Sequence, residues 1–259
     1  DLHHAVGDAQ PGLDRIGDAG PGIGRAVLHP AGPDAAIITQ LSWILFIGGT
    51  VLFVGVMVLC ALSLRRGEKI RPMYWLLGGG VLLPLVLLSA LLVFGTWRTV
   101  QLSQPSSQHA VKIAVIGHMW WWEIRYSHPD GREDIVLANE IRLPVGQPVY
   151  LGLSSADVIH SFWAPSLAGK VDMIPGRVHG MSLQADRAGV YRAQCAEYCG
   201  EQHARMALHI VAQPPDQFQA WLAAQARPAS PAAGAEVERG RRAFVEQRCS
   251  ACHTVRGVD

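Results

Sequence analysis

The chain has 259 residues, 49% of them hydrophobic, with 22 basic and 21 acidic side chains and a formal net charge of +1. A balance this close to zero carries no bulk-charge signal for nucleic acid or for an acidic partner, and no nucleic acid is expected. Five cysteines are present; four fall in two short motifs and the fifth, Cys60, lies in an apolar run, where it reads as a small buried hydrophobe.

In chain order, residues 1–36 are rich in Gly, Pro, Ala and Asp without a steady period, which predicts a mobile N-terminal arm. The chain begins at Asp1 rather than Met, as expected either of a processed signal sequence or of an incomplete chain. Two apolar stretches follow, about Gln40–Leu64 and Met73–Trp97, with no charge inside either. Each exceeds the roughly 20 residues needed to cross about 30 Å of hydrocarbon. A transmembrane helical hairpin over residues 37–98 is therefore expected, in preference to a buried helix pair of a soluble protein. Between the spans, Arg65, Arg66, Lys69 and Arg71 stand against Glu68 alone; the positive-inside tendency makes this loop cytoplasmic and turns both chain ends outward. Pro84 predicts a kink in the second span, and Gly78–Gly80 a close contact with a partner helix.

Beyond Thr99 the composition changes to short strand-like runs between turn residues. Val111, Ile113 and Val115 alternate with polar or small neighbours, and Asp130-Gly131 reads as a hairpin turn. Further runs at 149–153, 178–183, 189–193 and 207–211 predict a β-sandwich or barrel over residues 99–225. Phe218, Trp221 and Leu222 predict a closing amphipathic helix, and the Ala/Pro-rich residues 226–235 a linker.

Two motifs carry chemistry. Cys195, Cys199, His203 and Met206 place two thiols, an imidazole and a thioether within one short segment, and His160 ends an apolar run upstream. Thiolate and thioether with imidazole favour copper over hard cations. One thiolate suffices for a mononuclear blue-copper site, so two can bridge a pair of metal ions. A structural zinc site or a disulfide would use the cysteines but give Met206 no role. The second motif is Cys249-Ser-Ala-Cys252-His253, the attachment signature of c-type haem, with the two thiols forming thioethers and His253 as proximal iron ligand. A zinc site is the weaker reading. The chain ends at Asp259, before a Met that could be the sixth ligand, so residues 236–259 are expected to be the start of a truncated cytochrome c domain.

Through most of residues 38–222 these features resemble subunit II of haem–copper cytochrome c oxidases, of the type with a fused C-terminal cytochrome c. The resemblance implies an α+β membrane protein: a two-helix transmembrane hairpin, a cupredoxin-like Greek-key β-barrel, then the start of an α-helical cytochrome c domain. It implies a binuclear copper A centre on His160, Cys195, Cys199, His203 and Met206, with Glu197 giving its backbone carbonyl to copper and its carboxylate to a magnesium ion shared with subunit I. The segment Gly117–Glu123 matches the one in which Trp120 receives electrons, while Trp121 and Trp122 read as core or membrane-interface anchors. Asp157 and Asp172 match positions implicated in docking or ligand support. Arg125 stands where many members carry an acid, which weakens docking of a soluble donor, and a tethered haem offsets that loss. His118, His179 and His209 fall on no ligand position and read as structural. Expected partners are subunits I and III, cytochrome c (fused, soluble or both) and the lipid of a bacterial inner membrane, with the copper and haem domains on its outer side. A nitrous oxide reductase would lack the two spans, a quinol oxidase subunit the copper ligands, and a membrane-anchored copper carrier the Trp120 segment and haem motif.

Overall fold

The structure, a computed structural model, describes residues 28–65, 71–102, 111–127, 134–227, 229, 233–251, 253–255 and 257–258. Most of the predicted arm, much of the basic loop, the Asp130-Gly131 turn and Cys252 lie outside the described residues. Helix α1 (Pro33–Arg65) and helix α2 (Pro72–Leu102) are each long and apolar enough to cross a membrane. Nearly every large apolar side chain along them is exposed, as expected where lipid rather than protein is the solvent. Cys60 is exposed too, which corrects the expectation of burial: α1 stands clear of the rest of the chain at that level. The expected irregularity in α2 takes the form of a π-helical stretch, Trp75–Leu82, in which Leu83 N–H reaches back to Gly78 O. It sits just ahead of Pro84, whose missing N–H already breaks the regular ladder. Gly78–Gly80 meet nothing of this chain at their Cβ positions.

Ten strands follow: β1 (Val111–His118), β2 (Trp121–Tyr126), β3 (Ile135–Ala138), β4 (Glu140–Pro144), β5 (Val149–Ser155), β6 (His160–Trp163), β7 (Lys170–Met173), β8 (His179–Leu183), β9 (Gly189–Cys195) and β10 (Ala207–Gln213). They form two five-stranded sheets, ordered β3-β2-β1-β5-β8 and β4-β10-β9-β6-β7. The parallel pairs β1–β5 and β4–β10 sit among antiparallel neighbours, so the chain crosses between sheets in the Greek-key manner of the cupredoxin-like class. Alternation puts Ile113, Val115, Trp122, Ile124, Leu151 and Leu153 inward, all essentially buried. Helix α3 (Pro215–Gln225) closes one flank with the expected face: Phe218 is fully buried, and Trp221 packs edge-on against Tyr126 with centroids 5.4 Å apart. Helix α4 (Ala235–Glu246) precedes a short turn at Cys249–Ala251.

The last residues of the predicted arm are not free. Ala31 N–H bonds Ser166 O at 2.7 Å, Asp186 N–H bonds Ala31 O at 2.7 Å and Ala35 N–H bonds Leu167 O at 3.2 Å. A Cβ on Gly32 would lie 2.8 Å from Leu167 O, so only glycine allows the backbone this close. The start of α1 is thereby stitched to the barrel.

Candidate metal centre

The site forms where β6 begins and β9 ends. These strands pair with Phe162 opposite Cys195, and Ala196 N–H bonds Ser161 O at 2.9 Å, which holds His160 against the loop leaving β9. That loop closes on itself: Cys195 N–H bonds Met206 O at 2.9 Å, and His203 N–H bonds Gly200 O at 3.1 Å, opening the turn His203–Arg205. Gly200 takes φ +113, a conformation open to glycine at little cost.

The side chains converge as the spacing predicts. Sγ of Cys195 and Sγ of Cys199 are 3.9 Å apart, and both thiols are free and buried, which excludes a disulfide. Nδ1 of His160 lies 3.8 Å from the Cys195 sulfur and Nδ1 of His203 lies 3.6 Å from the Cys199 sulfur. Sδ of Met206 is 3.7 Å from the Cys199 sulfur, and the Glu197 carbonyl oxygen is 3.1 Å from that of Cys195. Two sulfurs thus lie at the centre with one imidazole and one weak donor beside each. A closed four-ligand zinc site would leave donors over; two soft cations sharing both thiolates would use them all. The ligand atoms of His160, Cys195 and Cys199 lie within 4.8 Å of one another.

Electrostatics favour a single charge on the sulfur pair, carried by Cys195. Burial opposes ionisation of Cys195, but hydrogen bonds from His160 and from the Ser161 and Glu197 backbones outweigh it and hold the thiol down, to about 6. Burial and the neighbouring Cys195 charge push Cys199 up. For His160, burial acts against protonation, and the Cys195 and Asp157 contacts reverse it and raise its value. Asp157 Oδ1 accepts from His160 Nε2 at 2.7 Å while Oδ2 accepts from Met119 N–H at 2.7 Å. One carboxylate therefore fixes the ring with Nδ1 toward the sulfurs and ties that ring to the segment carrying Trp120.

Trp120 is half-buried across the loop, its Nε1–H donating to Cys199 O at 3.0 Å. Its indole fills the space beside Gly200, where a Cβ would lie 3.2 Å from the ring. Trp122 is fully buried, edge-on to Phe162. Trp121 departs from core packing: strand alternation that turns Trp122 inward turns Trp121 outward, where it stacks on His118 with ring centroids 4.6 Å apart. The Glu197 carboxylate faces solvent 3.9 Å from Lys170 Nζ, which also pairs with Asp172 at 2.8 Å. Arg125 pairs with Glu123 at 2.5 Å. His179 Nδ1 lies 2.5 Å from Asp172 O, His118 stacks on Trp121 and His209 is exposed, whereas the imidazoles at the site sulfurs are those of His160 and His203. In the tail, His253 N–H bonds Cys249 O at 2.9 Å, which brings Cys249 and His253 onto successive turns, and Cys249 is exposed.

Two contributors escape motif reading. Gly117 lies inside β1, and a Cβ there would be 2.8 Å from the His160 ring; a glycine within a strand signals such a close approach without naming the neighbour. The Met119 N–H bond to Asp157, a residue already expected in docking or ligand support, is the other, since nothing in the spacing links residues 119 and 157.

Residues 130–213 match the family model for the periplasmic domain of cytochrome c oxidase subunit II. The chain is 36% identical over 150 residues to cytochrome c oxidase subunit 2 of Alkalihalophilus pseudofirmus, covering 58% of this chain and 43% of that protein. It is 31% identical over 176 residues to the subunit 2 of Branchiostoma floridae, covering 61% of this chain and 73% of that one. It is also similar to the crystal structure of the periplasmic domain of subunit II of cytochrome oxidase (CoxB) of Bradyrhizobium japonicum: 28% identity, 47% of this chain, 95% of that one, TM-score 0.42. The chain spans about half the length of the first curated relatives it matches, 43%, 56% and 52%. With nearly three quarters of the Branchiostoma subunit matched at 31% identity, and the periplasmic-domain model falling on the segment that carries His160, the two thiols, His203 and Met206, the chain belongs to the cytochrome c oxidase subunit II family.

Proposed function

We propose that this chain is the electron-receiving subunit of a haem–copper cytochrome c oxidase. It takes electrons one at a time from a c-type cytochrome and passes them to the haems of subunit I, where oxygen is reduced to water with coupled proton translocation. Subunit III completes the expected assembly. The observation that carries this reading is the convergence of His160, Cys195, Cys199, His203, Met206 and the Glu197 carbonyl on one pair of sulfurs. These residues would hold copper A. When bound, the copper pair supplies a one-electron store whose charge is spread over both thiolates, so little rearrangement accompanies each transfer. The chain's own residues do the rest. Asp157 orients His160, the closed loop keeps water from the sulfurs, and Trp120 links the outer surface to the Cys199 backbone through an unbroken path of bonds.

The remaining assignments belong to the same reading. Residues 37–98 anchor the protein in a bacterial inner membrane, residues 99–225 form the copper domain on its outer side, and residues 226–235 lead to a cytochrome c segment at 236–259. Cys249, Cys252 and His253 would hold haem c. The solvent-facing carboxylate of Glu197 is free to reach a magnesium ion at the boundary with subunit I, with Lys170 beside it.

Metal content tests the core of this proposal. The purified, copper-loaded protein is expected to bind two coppers per chain, and its mixed-valence form to show one unpaired spin shared between both nuclei. One copper per chain, or a four-line hyperfine pattern, would overturn it. Cys199→Ser is expected to abolish the shared spin and leave at most a mononuclear site.

A further inference from the structure

The His160 side chain rests directly on the backbone of Gly117. A Cβ at Gly117 would lie 2.8 Å from Cδ2, 3.1 Å from Cγ and 3.4 Å from Cβ of His160. The first two are well short of the ~3.5–4.0 Å at which carbon atoms pack. Turning the imidazole about its Cβ–Cγ axis would move Cδ2 but leave Cγ in place, so rotation alone cannot make room.

Neither partner in this contact can retreat. Gly117 is paired on both sides within its sheet, opposite Trp122 of β2 and Ser155 of β5, and its carbonyl accepts from Ala156 N–H at 3.0 Å. His160 is fully buried. Its Nε2 is bonded to Asp157, its Nδ1 faces the Cys195 sulfur, and its backbone stands opposite Met173 of β7. The Trp122 ring closes another side, with centroids 6.3 Å apart. The second imidazole is held differently. His203 is half-buried on a surface turn, and its ring meets exposed Tyr198 at a centroid distance of 5.8 Å. The sulfur pair therefore has one imidazole boxed in by sheet backbone and one carried by a loop.

We propose that Gly117 is a positioning residue for the copper centre. The lack of a side chain there fixes where His160 Nδ1 stands beside the Cys195 sulfur, and with it the share of charge on the His160 side of the pair. The inference rests on the proposed function and adds a residue outside the donor set. Groups behind a ligand orient it and tune the metal without touching it; here the orienting element is bare backbone.

The test uses the full chain, copper-loaded and metal-free, with Gly152→Ala as control. Gly152 is likewise paired on both sides, with Ala114 of β1 and Gly180 of β8. A Cβ there meets only Val178 Cγ1 at 3.7 Å, an ordinary contact. Both variants put a methyl group into a paired strand, and only one of them reaches a ligand. Gly117→Ala is expected to bind two coppers but to hold them about 10–100-fold more weakly against a chelator. Its mixed-valence hyperfine pattern is expected to become unequal between the two nuclei, while Gly152→Ala keeps the parent values of both. In the metal-free chain, Gly117→Ala is expected to shift the ring-nitrogen NMR signals of His160 and leave those of His203 in place. Parent copper retention and a parent spectrum in Gly117→Ala overturn the proposal. So does an equal change in Gly152→Ala, which would make the effect one of strand stability. Should Gly117→Ala not fold, the metal-free parent decides: its His160 ring is expected to give one sharp set of signals, and a ring broadened by exchange overturns the proposal. If the parent chain itself shows no shared copper spin, the proposed function fails, and this inference with it.

Discussion

At the scale of single residues, Trp120 is held by a hydrogen bond to a backbone carbonyl and not by the metal-ligand set. Replacing it by Gln leaves every ligand in place and keeps an N–H near the Cys199 carbonyl. Trp120→Gln is therefore expected to retain the copper spectrum yet slow electron uptake from cytochrome c by about 10²-fold or more, the order of loss when a donor–acceptor path is misplaced by an ångström. Stopped-flow reduction with both tethered and external donors checks it; a parent rate, or loss of copper, would make Trp120 a packing residue. Trp121→Phe, an outward ring one position on, is the control and keeps both. The candidate ligands of the Cys195–Met206 loop stood out in the sequence because soft donors at fixed spacing on one loop have few other uses. Gly117 and the Met119 bond to Asp157 did not, because each depends on a partner about 40 residues away that only the folded backbone brings near.

Among elements, the strand-like runs located β1, β5, β8, β9 and β10, but not β2, β3, β4, β6 and β7, nor the partner of any strand. Alternation states which side chains turn inward and leaves open the parallel pairing of β1 with β5 and of β4 with β10. An irregularity in α2 was legible from Pro84, yet its form, a π-helical stretch through the glycines, follows from how the ladder reconnects. Helix α3 shows the opposite case, where periodicity alone located the buried face. Phe218 is fully buried, inclined to Trp221 at a centroid distance of 6.0 Å, and Trp221 in turn meets Tyr126 and the Arg142 guanidinium. Phe218→Ala leaves a void under α3 that the rigid sheet cannot fill. A loss of about 3–5 kcal/mol in unfolding free energy is expected, measured by denaturant titration of the detergent-solubilised protein. A loss below about 1 kcal/mol would mean that α3 is not part of the cooperative barrel.

For the whole molecule, the membrane hairpin, the barrel and the tail differ in how firmly they are joined. The start of α1 is stitched to the barrel by the Ala31 and Ala35 backbone bonds, with the Arg187 side chain donating to Pro30 O at 3.2 Å. The Gln40 and Arg98 side chains bond across the hairpin. Composition could not have separated these pinned residues from the rest of the predicted arm, because glycine and proline mark both loose chain and close backbone approach. The barrel is thus held at a set height on its anchor, as the proposed relay to a membrane-embedded partner requires. The tail is different: α4 carries exposed Val237 and Val245, and the Cys-x-x-Cys-His motif follows with Cys249 and His253 on successive turns. If the two thiols form thioethers to a porphyrin, the bond is covalent and survives unfolding. After expression with a c-type maturation system the full chain is expected to keep haem stain through denaturing electrophoresis. Cys249→Ser with Cys252→Ser is expected to lose it without altering the copper spectrum, since the donors that converge on the barrel sulfurs come from His160, Glu197, His203 and Met206. A zinc-binding tail would instead show no stain and would release metal to a chelator. That result would remove the tethered donor and leave the barrel dependent on a soluble one.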